Sequence, residues 1–167
     1  MMNPMQIIGQ TAVYALFALG IGYFSTLPPY THFDPNQALI KLSFAHGGEP
    51  VTACRKRSRE ELAALAPNMR KLTDCPRQRV PLHIELSLDR TIILTEILPP
   101  TSWRGDGPSK IYRRFPVKAG PHFITAKLRD SRRTEGFDHF STRQFTLKPG
   151  QNLSIDFKPA QGGFIYE

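Results

Sequence analysis

The first 33 residues of the chain contain no Lys, Arg, Asp or Glu. Within them, residues 7–27 read IIGQTAVYALFALGIGYFSTL, and an uncharged helix of this length spans roughly 30 Å, the thickness of the hydrocarbon core of a bilayer. All 22 Lys and Arg and all 14 Asp and Glu lie in residues 34–167. The absence of charge predicts a transmembrane anchor over residues 1–30, a linker over residues 31–37 and a water-soluble domain over residues 38–167.

The N-terminus also lacks the basic residue with which a secretory signal peptide begins. The apolar run is longer than the apolar core of such a peptide, and residues 26–30 (TLPPY) make a poor cleavage site. A buried core helix is the other alternative, but apolar side chains such as Val13, Phe17 and Phe24 point in nearly all directions. We therefore expect an uncleaved, single-pass anchor.

Small residues form one stripe along this helix. Their spacing of 4, 3, 4 and 3 residues places them within an arc of about 80°, and they are Thr11, Ala15, Ala18, Gly22 and Ser25. Such a stripe lets helix backbones approach closely in a membrane, although a helix rich in Gly and Ala also produces stripes by chance. We expect the helix to pack against integral membrane protein subunits.

Cysteine is scarce, with Cys54 and Cys75 the two examples in the sequence. They lack the close spacing of metal-ligand pairs, and two independent buried thiols are the remaining alternative to a bond between them. We expect a disulfide, provided that the domain faces an oxidising compartment. Read literally, the positive-inside rule favours a cytoplasmic domain, but long domains translocate largely regardless of their charge. A very short N-terminus before a folded domain is the common layout of an outward-facing protein, and the two cysteines favour the same side. We therefore expect a protein of the inner cell membrane with a periplasmic C-terminal domain.

Long helical periodicity is missing from the rest of the chain, where prolines and glycines separate short apolar runs. The clearest run alternates Leu82, Ile84, Leu86 and Leu88 with polar residues, which predicts a strand with one buried face. Seven strands are predicted, over residues 38–44, 82–88, 91–98, 110–117, 122–129, 140–147 and 152–157. This spacing predicts a mainly β fold, an immunoglobulin-like antiparallel β-sandwich.

Two segments of the last third carry a family resemblance. Residues 115–128, FPVKAGPHFITAKL, resemble the strand–Gly turn–strand hairpin of transthyretin-like and PEGA-type β-sandwich modules. Residues 145–157, FTLKPGQNLSIDF, resemble the closing hairpin of the same class. The resemblance implies a sandwich fold and a non-catalytic binding or spacer module, and it implies no functional residues.

Residues 54–75 interrupt the strand pattern with a basic insertion. Ser58 and Glu61 form a capping box, which predicts a short helix over residues 59–66 that ends before Pro67. Between Cys54 and Arg79 there are eight basic and three acidic residues, a net charge of +5. The basic residues are Arg55, Lys56, Arg57, Arg59, Arg70, Lys71, Arg77 and Arg79.

This charge predicts contact with anionic lipid headgroups or with an acidic protein surface. The alternative is a solvated face that keeps the protein soluble. No helix-turn-helix, RNP or zinc pattern accompanies the charge, so we expect no nucleic-acid partner. Trp103 and the aromatic residues of the terminal segment, Phe164 and Tyr166, are further candidates for an interface, although a core position is the alternative for Trp103.

The sequence lacks a motif for nucleophilic catalysis, haem attachment or phosphate binding. Its five histidines are scattered, and His83 and His122 are the candidates if distant strands assemble a metal site. We expect no enzymatic activity and no cofactor. The expected function is that of a non-catalytic accessory or assembly subunit of a membrane complex, such as a bacterial respiratory or photosynthetic electron-transfer complex. The alternative is a membrane-tethered metallochaperone-like or ligand-binding domain.

Overall fold

A computed structural model describes residues 3–27 and 34–167 of the chain. Two compact units are present, Met1–Pro35 and Asn36–Glu167. The first contains a helix and the second is mainly β. Parts of the predicted anchor and linker, including residues 28–33, lie outside the described residues.

The N-terminal unit contains helix α1, Pro4–Thr26. Asn3 caps it: its side chain accepts a hydrogen bond from the amide of Met5, and the amide of Asn3 donates to the side-chain oxygen of Gln6. Proline occupies the first helical position, where its missing N–H costs nothing. The helix has 23 residues and no buried side chain, and it is long and apolar enough to cross a membrane.

The second unit contains all seven predicted strands, with ends within two residues of those expected. It adds a short ribbon of two strands, a one-turn helix and a C-terminal strand. The elements are β1 (Gln37–His46), β2 (Arg55–Lys56), α2 (Arg59–Ala63), β3 (Thr73–Asp74), β4 (Leu82–Leu88), β5 (Thr91–Leu98), β6 (Ser109–Lys118), β7 (Gly120–Arg129), β8 (His139–Leu147), β9 (Asn152–Lys158) and β10 (Gly163–Tyr166).

Eight of these strands form two four-stranded sheets. One, here called the β1 sheet, has the order β10-β9-β1-β6, and the other, the β4 sheet, has the order β5-β4-β7-β8. The expectation of purely antiparallel pairing is wrong at one place, because β1 and β9 run parallel. Parallel strands cannot be joined by a tight turn and need a long connection. The chain between β1 and β9 provides one, because it includes all four strands of the β4 sheet.

One hydrophobic cluster contains most of the buried residues of both sheets. The alternating residues Ala38, Ile40, Leu42 and Phe44 all lie in it, as do Leu82, Ile84 and Leu86. These two strands thus bury one face in the cluster, as the alternation predicts. The cluster contains no residue between Phe44 and Leu82, so the intervening segment lies outside the core.

Turns connect the strands in two different ways. Asp89 and Arg90 have φ of +50° and +72° and join β4 to β5 in a two-residue hairpin, the left-handed geometry of a type I′ turn. The two hairpins that the family resemblance implies, in residues 115–128 and 145–157, are wrong. The strands on either side of Gly120 belong to different sheets, as do those on either side of Gly150, so these turns carry the chain from one sheet to the other.

Candidate docking site

The basic insertion forms an arm, defined here as residues 49–80, that leaves the domain after β1. Its two ends are held together by backbone hydrogen bonds, from Val51 N to Gln78 O at 3.0 Å and from Val80 N to Glu49 O at 2.9 Å. Gly48, the residue before the arm, lies very close to the backbone of Val80 at the other end of the arm. A Cβ at position 48 would lie 2.5 Å from the carbonyl oxygen of Val80. The base of the arm is therefore packed tightly against the domain.

The predicted disulfide between Cys54 and Cys75 is confirmed, and it closes a loop with a sequence separation of 21. The bond lies next to the two-residue ladder of β2 and β3. Beyond the ladder, Arg57 N donates to Leu72 O at 3.0 Å. Since no residue of the arm belongs to the core cluster, this covalent bond and polar contacts hold the arm in place.

Helix α2 begins with the predicted capping box, in which Ser58 N donates to Glu61 Oε2 at 2.8 Å. The helix ends at Ala63, earlier than the predicted end at residue 66. Leu65 N instead donates to Leu62 O, three residues back, so the last turn tightens. Pro67–Met69 then forms a separate 3₁₀ turn.

The basic residues of the arm fall into two groups. Arg55 contacts Glu61 at 2.8 Å, and both Arg55 and Arg57 contact Asp74. Arg70 and Arg79 donate to backbone carbonyls. The second group makes no side-chain hydrogen bond or ion pair with any residue that the structure describes, and it consists of Lys56, Arg59, Lys71 and Arg77.

Trp103 lies on a compact loop between β5 and β6. The loop is closed by hydrogen bonds between Thr101 and Pro108, and Ser102 Oγ donates to a carboxylate oxygen of Asp106. The indole is 88% exposed, and the guanidinium of Arg104 lies 4.5 Å from its ring centroid. The alternative of a core position for Trp103 is therefore wrong.

The fold brings the Trp103 loop against the base of the arm. Arg79 N donates to Gly105 O at 2.9 Å. Between the two segments lies an open groove of about 460 Å³. It is lined by Pro76, Arg77, Gln78, Trp103, Arg104 and Asp106. The hydrogen bond from Ser102 lowers the pKa of the Asp106 carboxyl, so this one acid in the groove stays ionised beside Arg104.

The other two aromatic interface candidates lie elsewhere. Phe164 is buried, with 7% exposure, and its ring packs 5.1 Å from that of Phe157, so the interface assignment is corrected to a core one. Tyr166 lies in the edge strand β10, half-buried against Phe145, and burial raises the pKa of its phenol. Both side chains pack β10 onto the domain, and neither lines the groove beside Trp103.

The two histidines that were candidates for a metal site, His122 and His83, do not lie in one within the part of the chain that the structure describes. Burial would lower the pKa of His122, but hydrogen bonds to Asp89 and to the Lys118 carbonyl outweigh it and raise this pKa. Burial, with Arg129 nearby, lowers the pKa of His83. His32 lies outside the described residues. Within residues 3–27 and 34–167 no group of three His, Cys, Asp or Glu side chains is arranged to hold a metal ion.

Sequence reasoning missed one cluster, at the base of the arm. The Nε2 atoms of His46 and His139 lie 2.7 and 3.2 Å from the same oxygen of Asp130. Both imidazoles also pack edge-on against the ring of Phe157. The backbone carbonyl of Asp130 accepts the amide of Glu49, which ties the cluster to the arm. Pairing across 84 residues leaves no local signal in the sequence.

The small-residue stripe on α1 carries one internal hydrogen bond. The hydroxyl of Thr11 donates to the carbonyl of Ile7 at 2.9 Å. A Cβ at Gly22 would meet no heavy atom within 4 Å, so the space beside it is open in this chain. Close packing by another helix remains a prediction for this face.

No protein-family model and no curated protein matched the sequence. The interpretation of these surfaces therefore depends on their own geometry and chemistry.

Proposed function

We propose that this chain is a non-catalytic accessory or assembly subunit of a larger membrane complex. In this proposal α1 crosses the inner membrane once, and the two sheets form an immunoglobulin-like sandwich on the periplasmic side. The small-residue stripe of α1 and the arm with the Trp103 loop provide two separate contacts with the partner. Bacterial respiratory and photosynthetic electron-transfer complexes are the class of partner that this architecture suits.

The arm is the observation that carries the proposal. Ordering a residue costs about 1–2 kcal/mol of backbone entropy, which burial of apolar surface normally offsets. The arm buries no residue in the core cluster and relies on a disulfide, a capping box and ion pairs. Structure maintained without a contribution to the core is best explained by a contact outside the chain.

The chemistry of this surface favours a protein as the partner. Two apolar side chains of the arm, Met69 and Leu72, are 60% and 74% exposed, close in sequence to the unpaired Lys71. Exposed Trp103 and Arg104 are of the residue types that contribute most to protein interfaces. Apolar, aromatic and cationic groups together suit a partner with pockets and acidic side chains, and an anionic lipid surface is the alternative that the experiment below distinguishes.

The disulfide supports the periplasmic side. Both cysteines are exposed, and an exposed disulfide persists in an oxidising compartment and is rare in a reducing one. Protease added to intact spheroplasts should therefore cleave the domain. Cleavage only after the membrane is permeabilised would place it on the cytoplasmic side.

The test of the arm uses the full chain, extracted in mild detergent from its native host and separated on a native gel. Trp103→Ser and Arg77→Glu should each shift the chain from a large complex towards its free mass. Phe140→Ser and Lys148→Glu are matched controls, because Phe140 is 67% exposed on β8 and Lys148 is exposed in the turn between β8 and β9. Equal migration of test and control variants would contradict the role of the arm, and a shift reproduced by removing anionic lipid would favour the lipid alternative.

The helix face is tested in the same extract. Ala15→Leu and Gly22→Leu fill the stripe and should weaken co-migration with the complex, because bulky side chains keep helix backbones apart. Val13→Leu enlarges a residue on the opposite side and serves as the control. Unchanged co-migration of the stripe variants would remove the helix as a binding element.

A further inference from the structure

The outer face of the β1 sheet carries basic residues that the run of charge in the arm does not reveal. Along β6, Lys110, Arg114 and Lys118 alternate with inward-facing residues, and all three are exposed. On the neighbouring strand, Lys41 faces the same way. We call these four residues and Tyr112, which lies between Lys110 and Arg114, the cationic face.

Two of these cations, Lys41 and Arg114, repel each other and so lower the stability of the sheet. Lys41 pairs directly with Arg114 across the antiparallel strands, so their Cβ atoms lie about 5 Å apart. Like charges directly opposite each other destabilise a sheet. None of the four basic side chains forms an ion pair with a residue in the described part of the chain. Asp156, the acid on β9, is already paired with Lys158 at 3.1 Å.

The surface beside Lys110 and Tyr112 is shallow rather than pocketed. Ser43 pairs with Tyr112 and Ala45 with Lys110, so small side chains alternate with long ones. They surround an open depression of about 440 Å³. Tyr112 is 56% exposed, and tyrosine is a residue favoured at the boundary between water and lipid headgroups. A broad, shallow cationic surface suits a layer of headgroups better than a single small anion.

The position of the cationic face in the chain indicates which surface it meets. Lys118 pairs with Gln37, the first residue of β1, and only residues 28–36 separate Gln37 from Leu27, which caps the end of α1. Nine residues span at most about 30 Å. If α1 is anchored as proposed above, this short connection keeps the cationic face at high effective concentration beside the same bilayer.

We propose that the cationic face binds the anionic phospholipid headgroups of the membrane that anchors the chain. This inference depends on the proposed anchor but not on the arm or on any protein partner. Each basic residue near an anionic bilayer contributes about fivefold to association. Several acting together hold the domain in one orientation and leave the arm free for its own contact.

The experiment uses the purified full chain in nanodiscs of phosphatidylcholine alone or with 30% phosphatidylglycerol. Acetylation rates of individual lysines are measured by mass spectrometry. Lys41, Lys110 and Lys118 should react several-fold more slowly in the anionic discs. Lys127, paired with Glu85 on the β4 sheet, and Lys71 in the arm are internal controls that should not change.

Two variants separate binding from folding. Arg114→Glu should abolish the protection while placing a carboxylate opposite Lys41, which relieves repulsion, so its thermal midpoint should not fall. Arg114→Lys keeps the charge and should keep the protection. Arg59→Glu reverses one charge in the arm and should leave the protection unchanged.

Three results would overturn the inference. The first is equal reactivity of the face lysines in both discs. The second is protection of Lys71 in place of the face. The third is a chain that fails to co-elute with the discs, which would overturn the anchor as well. A chain that co-elutes while its face lysines stay reactive would reject the cationic face alone and leave the proposed anchor standing.

Discussion

Reduction of the disulfide between Cys54 and Cys75 should loosen the arm while leaving the two sheets intact. The bond closes a loop with a sequence separation of 21, for which the chain-entropy estimate is about 3 kcal/mol at 25 °C. The core cluster has no member between Phe44 and Leu82, so little of this free energy is shared with the sheets. The ladder of β2 and β3, only two residues in each strand, is left to resist opening.

Hydrogen exchange with and without reductant measures this directly. A loss of about 3 kcal/mol corresponds to exchange on the order of 10²-fold faster at the amides of Arg57 and Leu62, which donate to backbone carbonyls within the arm. Amides in the middle of β1, β4 and β7 should keep their rates. A double variant, Cys54→Ala with Cys75→Ala, is the control, because it should exchange like the reduced chain with no reductant present.

Two results would refute this reasoning. If the amides of the sheets lose protection together with those of the arm, the arm unfolds only with the whole domain and is not a separate element. If the arm amides keep their protection, the capping box and the ion pairs of Asp74 are sufficient to order it, and the disulfide has another role. The first result would also weaken the argument that the arm exists for an external contact.

Three substitutions test other parts of the structure by chemical denaturation of the full chain. Gly48→Ala should cost about 1–3 kcal/mol because its Cβ would meet the carbonyl of Val80 at 2.5 Å, whereas Gly47→Ala, with open space, should not; equal losses would contradict the close approach. Burial would raise the pKa of Asp138, but hydrogen bonds from neighbouring residues lower it to about 2, so Asp138→Asn should lose about 2 kcal/mol at pH 7. Because this folded pKa lies below the unfolded value, the difference from wild type should vanish as the pH falls from 4 to 2, and a constant difference would refute it. Arg90 has φ of +72°, a left-handed conformation that glycine adopts without strain, so Arg90→Gly should stabilise the protein by about 1 kcal/mol. A loss of stability would show that the contacts of the arginine side chain contribute more free energy than the strained backbone costs.

The strands were predictable because burial of one face leaves a local record in the sequence. The alternation around Ile84 marks a strand without any knowledge of its neighbours, and the same holds for Ile40. The assignment of strands to sheets has no such record. A Gly turn at Gly120 or Gly150 reverses the chain equally well in a hairpin and in a crossing between sheets, and the choice depends on packing across the core.

In the candidate site, too, the features within one short segment were predictable from the sequence and the contacts between distant segments were not. The capping box at Ser58 and the disulfide lie within one short segment, and both were predicted. The contact of the Trp103 loop with Arg79 joins residues more than 20 apart, and nothing in either segment indicates it. The burial of Phe164 was missed for a related reason, because a short terminal strand gains its core position from its pairing with β9, which lies in a different part of the sequence pattern.

The net charge of a sequence segment is a poor guide to which surface of the protein binds a charged partner. Residues 54–79 of the arm have a net charge of +5 in sequence. Arg55 and Arg57 pair with acids, and Arg70 and Arg79 donate to backbone carbonyls, which leaves four cations with no side-chain hydrogen bond or ion pair in the described part of the chain. The cationic face has the same number, gathered from two strands that are about 70 residues apart in sequence. A search for basic runs does not find this charge as one cluster, because buried residues such as Ile111 and Val117 separate its members along β6 and Lys41 lies on a different strand. The two surfaces also differ in kind: the arm mixes cations with acids and exposed apolar groups, whereas the face places like charges opposite each other and pairs none of them. A patterned surface can select one protein, and an unpaired cationic one needs only a dense negative surface, so we expect the partner to be recognised by the arm and the membrane by the face.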